Sequence, residues 1–338
     1  MTSPQPVLLS EKELRGSPDL HQHCIAAVIP CYRVEGEIKS VLQSVPAYVR
    51  HIIVVDDASP DSTADLVVAC SKQDHRIILV RHPSNLGVGG AMVTGYRKAL
   101  EMEAQIVVKI DGDGQMDMGH LPILLKPLIE GRADYTKGNR FRDFKSLQKM
   151  PFIRRVGNMG LGFLAKAATG YWHMFDPTNG FNAVRADVLA QLPLDKIDRT
   201  YYFETSMLAN LYLIGAVVKD VPMPARYRGE ASSLLVHRIL FEFPLKLIVT
   251  FIRRVVLKNF IYDFSMGSIY LLAGLPLLIF GLVFGIYKWI QYASAGVPAP
   301  TGTVMIPTLS VLLGIQLLLS AIEIDLRSVP TEPLSSSL

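Results

Sequence analysis

The chain has 338 residues, half of them hydrophobic, with 34 Lys and Arg against 30 Asp and Glu and a formal net charge of +4. That length suits one large domain with additional elements, and so small a charge excess gives no ground for a nucleic-acid partner; none is expected. The three cysteines, Cys24, Cys31 and Cys70, lack metal-type spacing and read as core thiols in a reducing compartment.

Residues 1–23 mix Pro, Ser and charged side chains, without the apolar stretch of a secretory signal, and are expected to form a flexible leader. Residues 24–234 read as a catalytic domain of alternating strands and helices. Strands are predicted at 24–30, 51–57, 76–82, 104–111 and 133–141, with helices at 35–45, 61–73 and 87–102 and near 119–130. This alternation predicts an α/β fold, a mostly parallel sheet covered by helices on both faces. Ligands of such sheets bind beyond the carboxyl ends of the strands. Acidic pairs stand at two of those ends: Asp56–Asp57 after the second strand and Asp111–Asp113 after the fourth.

Residues 235–265 mix aromatic and aliphatic side chains with Arg238, Lys246, Arg253, Arg254 and Lys258. They are expected to form amphipathic juxtamembrane helices with cations facing anionic headgroups, a new helix starting at Pro244. Residues 266–325 hold two apolar blocks, 268–287 and 304–322, each near the length a bilayer crossing requires; buried core helices are the alternative. Lys288 is the lone cation between them, whereas Arg253, Arg254 and Lys258 precede them and Arg327 follows. The positive-inside rule then predicts a multi-pass protein of the cell membrane, with the catalytic domain, both termini and the 326–338 tail cytoplasmic.

The segment KIDGDGQMD (109–117) ends an apolar run. In an extended chain Asp111, Asp113 and Gln115 fall on one side, and three oxygen ligands suit Mg²⁺ or Mn²⁺ with positions left open for substrate phosphates. Gly87, Gly89 and Gly90 do not make the dinucleotide-binding spacing and read as a close backbone approach at a helix start, near a donor sugar. The eight histidines show no ligand spacing, and no Ser-His-Asp order is present.

Six strings in order, VIPCY, IIVVDDASPDST, NLGVGGAMVTGYRKAL, KIDGDGQMD, TNGFNAVR and ARYRGEASSL, resemble the family 2 inverting glycosyltransferases of GT-A fold. Within that family the chain is similar to dolichol-phosphate mannose synthases and bacterial polyprenyl-phosphate glycosyltransferases, over roughly residues 24–240. The resemblance implies donor-binding roles for Pro30, Tyr32 and Glu35 in the first-strand loop and for Val55 and Asp57 at the base and ribose. It implies metal and diphosphate roles for Asp111, Gly112, Asp113 and Gln115, and phosphate contacts for Arg140 and Arg226. Asp113, Asp176 and Arg226 become the catalytic set, with Asp176 near the acceptor. A departing nucleoside diphosphate gathers negative charge, which a dication and guanidinium forks stabilise. The implied reaction moves a sugar from a UDP- or GDP-sugar to a polyprenyl phosphate at the bilayer surface. Alternatives are a lipid or polysaccharide hydroxyl as acceptor, a nucleotidyltransferase, and a non-catalytic membrane partner. Oligomeric state is not legible.

Overall fold

The computed structural model describes residues 20–139, 152–174, 179–223 and 236–334, with backbone alone at 152–159 and 236–241. The chain divides into two compact units, Met1–Thr250 with Pro330–Leu338, and Phe251–Val329.

The first unit is built on runs of Val, Ile and Ala that favour a pleated, two-sided burial. β1 (Ile25–Cys31), β2 (Val49–Asp56), β3 (Ile77–Arg81) and β4 (Ile106–Lys109) are joined by α1 (Ile38–Ser44), α2 (Thr63–Ser71) and α3 (Val88–Glu101). After α4 (Leu121–Ile129) come β5 (Tyr135–Asn139), α5 (Phe152–Thr169), β6 (Asn182–Arg185), α6 (Ala186–Gln191), α7 (Phe203–Leu213) and β7 (Val218–Pro222). The seven strands lie in the order β3-β2-β1-β4-β6-β5-β7. The β1–β2, β1–β4, β2–β3 and β5–β7 pairs are parallel, whereas β6 runs antiparallel to both β4 and β5. The sheet is therefore mostly parallel, as the alternation predicts; the reversed β6 has no signature in the pattern of apolar residues.

Helices cover both faces. Ile25, Ala27 and Ile29 of β1 share a buried cluster with Ile38, Val41 and Leu42 of α1 and Leu121, Leu124 and Leu125 of α4. On the other face α3 approaches so closely that a Cβ on Gly95 would stand 2.2 Å from Val28 Cγ1. The chain leaves β1 toward β2 and β3, then returns to β4 on the opposite side, so β1 and β4 flank a topological switch point. There the loops after the two strands touch: a Cβ on Gly112 would lie 3.3 Å from Cys31 Sγ and from Val34 Cγ2.

One row across the sheet changes character. Val28 pairs with Lys109, Lys109 with Asn182, Asn182 with Lys137, and Lys137 with Asp220. Paired residues present their side chains on one face. An apolar row thus becomes polar where β4 ends, with Lys109, Asn182 and Lys137 buried and Asp220 half-buried.

A single helix, α8 (Val236–Val256), passes through Pro244, where a helix start was expected; the flanking turns outlast the one hydrogen bond Pro244 cannot donate. In the first unit α8 docks through Leu247, which shares a small cluster with Ala165, Ala168 and Tyr202. Lys246 Nζ reaches Asp198 Oδ2 at 2.7 Å.

The second unit holds a π-helical turn (Leu257–Tyr262), then α9 (Met266–Ala295) and α10 (Thr301–Arg327). α9 and α10 are each long and apolar enough to cross a membrane. The hairpin inverts soluble packing. Gly267, Gly274 and Gly281 of α9 and Gly314 and Ala321 of α10 are buried, while Leu272, Ile279, Val283, Leu312 and Leu319 are exposed. A Cβ on Gly314 would come within 3.0 Å of the Gly274 carbonyl, so the two backbones meet at small residues. At the hairpin's polar end Asp325 accepts from Arg254 Nη1 and Nη2 at 2.8 and 2.9 Å and from Lys258 Nζ at 3.0 Å. Arg254 and Lys258 therefore turn toward Asp325, whereas the sequence reading faces them to headgroups; Arg253 remains exposed.

Candidate active site

β4 is too short to carry the acidic motif as a strand. It ends at Lys109, and residues 111–117 form a turn, with Gly114 at φ +69°. Asp113 Oδ1 accepts from Gln115 N at 3.0 Å, closing the kind of local ring that Asp favours in turns. The extended alternation expected for Asp111, Asp113 and Gln115 is thus replaced by a turn. The turn still brings all three to one cavity of about 80 Å³, whose wall also includes His120, Asn179 and Gly180. Two carboxylates and a carboxamide are hard oxygen donors, the set that Mg²⁺ or Mn²⁺ takes. Among the described residues no cluster of three or more His, Cys, Asp or Glu forms a ready cage. The donor set fits a dication held by one or two carboxylates with the remaining positions left to substrate oxygens.

Behind Asp111 stands a residue to which the sequence reading gave no role. Lys109 is 2% exposed, and its ammonium lies 2.6 Å from Asp111 Oδ1 and 3.1 Å from Glu204 Oε1. Burial lowers the Lys109 pKa, but Asp111 and Glu204 outweigh it and hold the group above the ordinary lysine range, charged. Asp111 Oδ2 faces Gly180, where a Cβ would stand 2.3 Å from that oxygen and 2.6 Å from Lys109 Nζ. A side chain at this position would have to displace the Asp111 carboxylate and the Lys109 ammonium, so Gly180 leaves room for their pairing. A signal for Lys109 existed: it is a charge at the end of the buried run IVVK. Glu204, in YYFETSML, resembles a family position or a helix-entry residue in the sequence; its pairing with Lys109, across 95 residues of sequence, is set by the fold.

The remaining expected residues divide. Pro30 is the penultimate residue of β1 beside the switch point, and Tyr32 follows the strand, 44% exposed, with the Arg33 guanidinium 5.3 Å from its ring centre. Glu35 Oε2 accepts from Ser62 N at 3.0 Å, and Asp61 Oδ2 accepts from Glu35 N, so the loops after β1 and β2 are stitched together. Val55 is fully buried in β2. Asp57 is 3% exposed and fully engaged, with His82 Nδ1 at 2.7 Å and the Leu86 and Gly87 amides each at 2.8 Å. His82 Nε2 in turn meets Thr94 Oγ1 at 2.9 Å. The Asp57 carboxylate braces the loop before α3. The glycines at that helix start meet protein: Gly89 N and Gly90 N both donate to the Arg199 carbonyl. Gly112 lies in the wall between the two loops. Arg140, Asp176 and Arg226 lie outside the described residues.

Burial, then Asp56 and Asp111, push the Cys31 thiol far above its ordinary range, so this cysteine supplies no thiolate to the cavity.

A mostly parallel sheet with acidic residues beyond its switch point is the α/β arrangement in which ligands bind at the carboxyl ends of the strands. Residues 26–192 match the family model described as Glycosyl transferase family 2, and the chain belongs to that family. The UDP-N-acetylglucosamine–dolichyl-phosphate N-acetylglucosaminyltransferase of Methanococcus voltae is 33% identical over 181 residues, covering 50% of this chain and 72% of its own. The undecaprenyl-phosphate mannosyltransferase of Micrococcus luteus is 30% identical over 184 residues, covering 54% and 74%. The crystal structure of glucosyl-3-phosphoglycerate synthase from Mycobacterium tuberculosis with UDP shares the fold, with a TM-score of 0.52 at 21% identity over 75% of this chain and 86% of that one.

Proposed function

We propose that the protein transfers a sugar, with inversion, from a UDP- or GDP-sugar to a polyprenyl phosphate at the cytoplasmic face of a membrane. The observation that carries this reading is the convergence of Asp111, Asp113 and Gln115 on one cavity at the switch point of a family 2 sheet. Relatives support the lipid phosphate: the Methanococcus voltae and Micrococcus luteus enzymes are named for dolichyl and undecaprenyl phosphate acceptors. Mn²⁺ accompanies UDP-glucose in a crystal structure of the fold neighbour, which supports a divalent ion.

In this reading Asp111, Asp113 and Gln115 hold Mg²⁺ or Mn²⁺, which when bound offsets the charge gathering on the departing diphosphate. Pro30, Tyr32, Glu35, Val55, Asp57 and Gly112 shape the nucleoside side, Asp57 by bracing the loop before α3. Arg140 and Arg226 bind phosphate oxygens through their planar forks. The acceptor phosphate, with a second pKa of about 6, is already an anionic nucleophile at neutral pH, so Asp176 orients it and removes no proton. Residues 24–234 form the catalytic domain. α9 and α10 cross the bilayer, and α8 carries its exposed Leu245, Ile248, Val249 and Ile252 into the interface, where a lipid-borne phosphate emerges.

The test uses the full chain in nanodiscs, offered UDP- and GDP-sugars with polyprenyl phosphate, with Mn²⁺ or with chelator. A glycolipid that forms with Mn²⁺ and not with chelator is expected; no glycolipid from any common donor overturns the reading.

A further inference from the structure

Lys109 is a buried cation wedged against the carboxylate that the proposed reaction needs for its dication. Left alone with Asp111, so close an ammonium holds that carboxylate as its own counter-ion and competes with any incoming metal. The structure supplies a second anion. Glu204, in the first turn of α7, meets the same ammonium at 3.1 Å, and its side chain is only 13% exposed. Burial pushes the surrounding Tyr96 and Tyr135 hydroxyls far above their ordinary range, so neither contributes negative charge. Asp111 reaches Lys109 through Oδ1 alone, while Oδ2 lies toward Gly180 in the cavity wall.

We propose that Glu204 is a positioning residue: it shares the Lys109 ammonium with Asp111, so that the Asp111 carboxylate is fixed by one oxygen and available to a dication. The proposal rests on the reading of this cavity as a metal-dependent donor site. It extends that reading to a residue from a distant helix that touches neither donor nor metal. The trio carries one cation and two anions, and the negative charge left over is what a dication site requires. Neutralising Glu204 removes that excess and returns Asp111 to Lys109.

The test is a Mn²⁺ titration of the full-length protein in detergent, without donor, read by the free-ion signal in electron paramagnetic resonance. Three proteins are compared: wild type, E204Q and the double variant K109M/E204M. E204Q keeps the shape of the side chain and is expected to raise the Mn²⁺ Kd about 10-fold, as losses behind a metal ligand commonly do. K109M/E204M replaces a buried ion pair by apolar side chains of similar length, a change that folds usually tolerate. With the competing ammonium gone, its Kd is expected to return to within about 3-fold of wild type, a rescue that Glu204 acting through Lys109 requires. A merely structural Glu204 would make the double variant as weak as E204Q or weaker, and that result overturns the proposal. So does E204Q binding Mn²⁺ as wild type does. If wild type binds no Mn²⁺, the reading of the cavity itself falls, and the proposal with it.

Discussion

Two three-membered charge clusters, one in each unit, are built on opposite arithmetic. In the first unit a single cation, Lys109, sits between two anions, Asp111 and Glu204. In the second a single anion, Asp325, sits between two cations, Arg254 and Lys258. The first cluster has negative charge to spare beside an oxygen-lined cavity; the second joins the end of α8 and the turn after it to the last turn of α10. Both central groups are held by bonds that a swap of partner type would break. In the first cluster the surplus sign suits the dication proposed for its cavity; in the second the cations are spent on Asp325, with Arg254 1% exposed. A buried ion pair is weak evidence for stability, but an unbalanced cluster states which charge its surroundings must supply.

The largest expected effect breaks the first cluster. Asp113→Asn keeps the turn's shape and removes one carboxylate from the cavity. Turnover of sugar to glycolipid should fall by about 10²–10³, the scale for losing one charge-stabilising group in a transition state, while the thermal midpoint stays put. Next comes the second cluster. Asp325→Leu leaves Arg254, which is 1% exposed, without its carboxylate. Uncompensated burial of that kind costs about 3–5 kcal/mol, so the midpoint in detergent should drop sharply while nucleotide binding by the first unit survives. Loss of both together would erase the distinction between the clusters.

A third test lies between these two. Burial raises the pKa of Asp198, but Lys246 and hydrogen bonds from Thr200 outweigh it and hold the group below the usual carboxylate range. A lowered carboxylate stabilises the folded state fully above its unfolded pKa, and that contribution fades as pH falls through the lowered folded value. Wild type and Lys246→Met should therefore differ most in urea midpoint near neutral pH and converge as the solution is acidified below the ordinary carboxylate range. A difference that persists unchanged into strong acid would assign the docking of α8 to packing at Leu247 alone. The smallest effect is expected from Gly112→Ala. Its Cβ meets Cys31 Sγ and Val34 Cγ2 at 3.3 Å, side-chain atoms that can give way, so about 1 kcal/mol or less is lost.

The sequence made much of the fold legible because its signals were local. Apolar runs ending in acidic pairs marked β2 and β4, and two uncharged blocks marked α9 and α10. The reversal of β6 left no trace, since Asn182–Arg185 is a short run like any other and strand direction depends on where the connection lands. The site was legible for the same local reason: Asp111, Asp113 and Gln115 lie within five residues. Their convergence has another cause than the one expected, a turn closed by Asp113 in place of an extended run. The contacts of Glu204 and Gly180 with Lys109 and Asp111 could not be read, because each is made across the fold. Asp57 is expected at the base and ribose, and in the structure its buried carboxylate also binds His82 and two backbone amides, partners that no local pattern announces.

The central claim is that a dication and a nucleoside diphosphate meet at the cavity walled by Asp111, Asp113 and Gln115. Anomalous scattering from crystals grown with Mn²⁺ and UDP tests it most directly. The account predicts one strong manganese peak within coordination distance of the Asp113 carboxylate, lost in Asp113→Asn. A peak elsewhere on the sheet, or UDP bound away from this cavity, would contradict it.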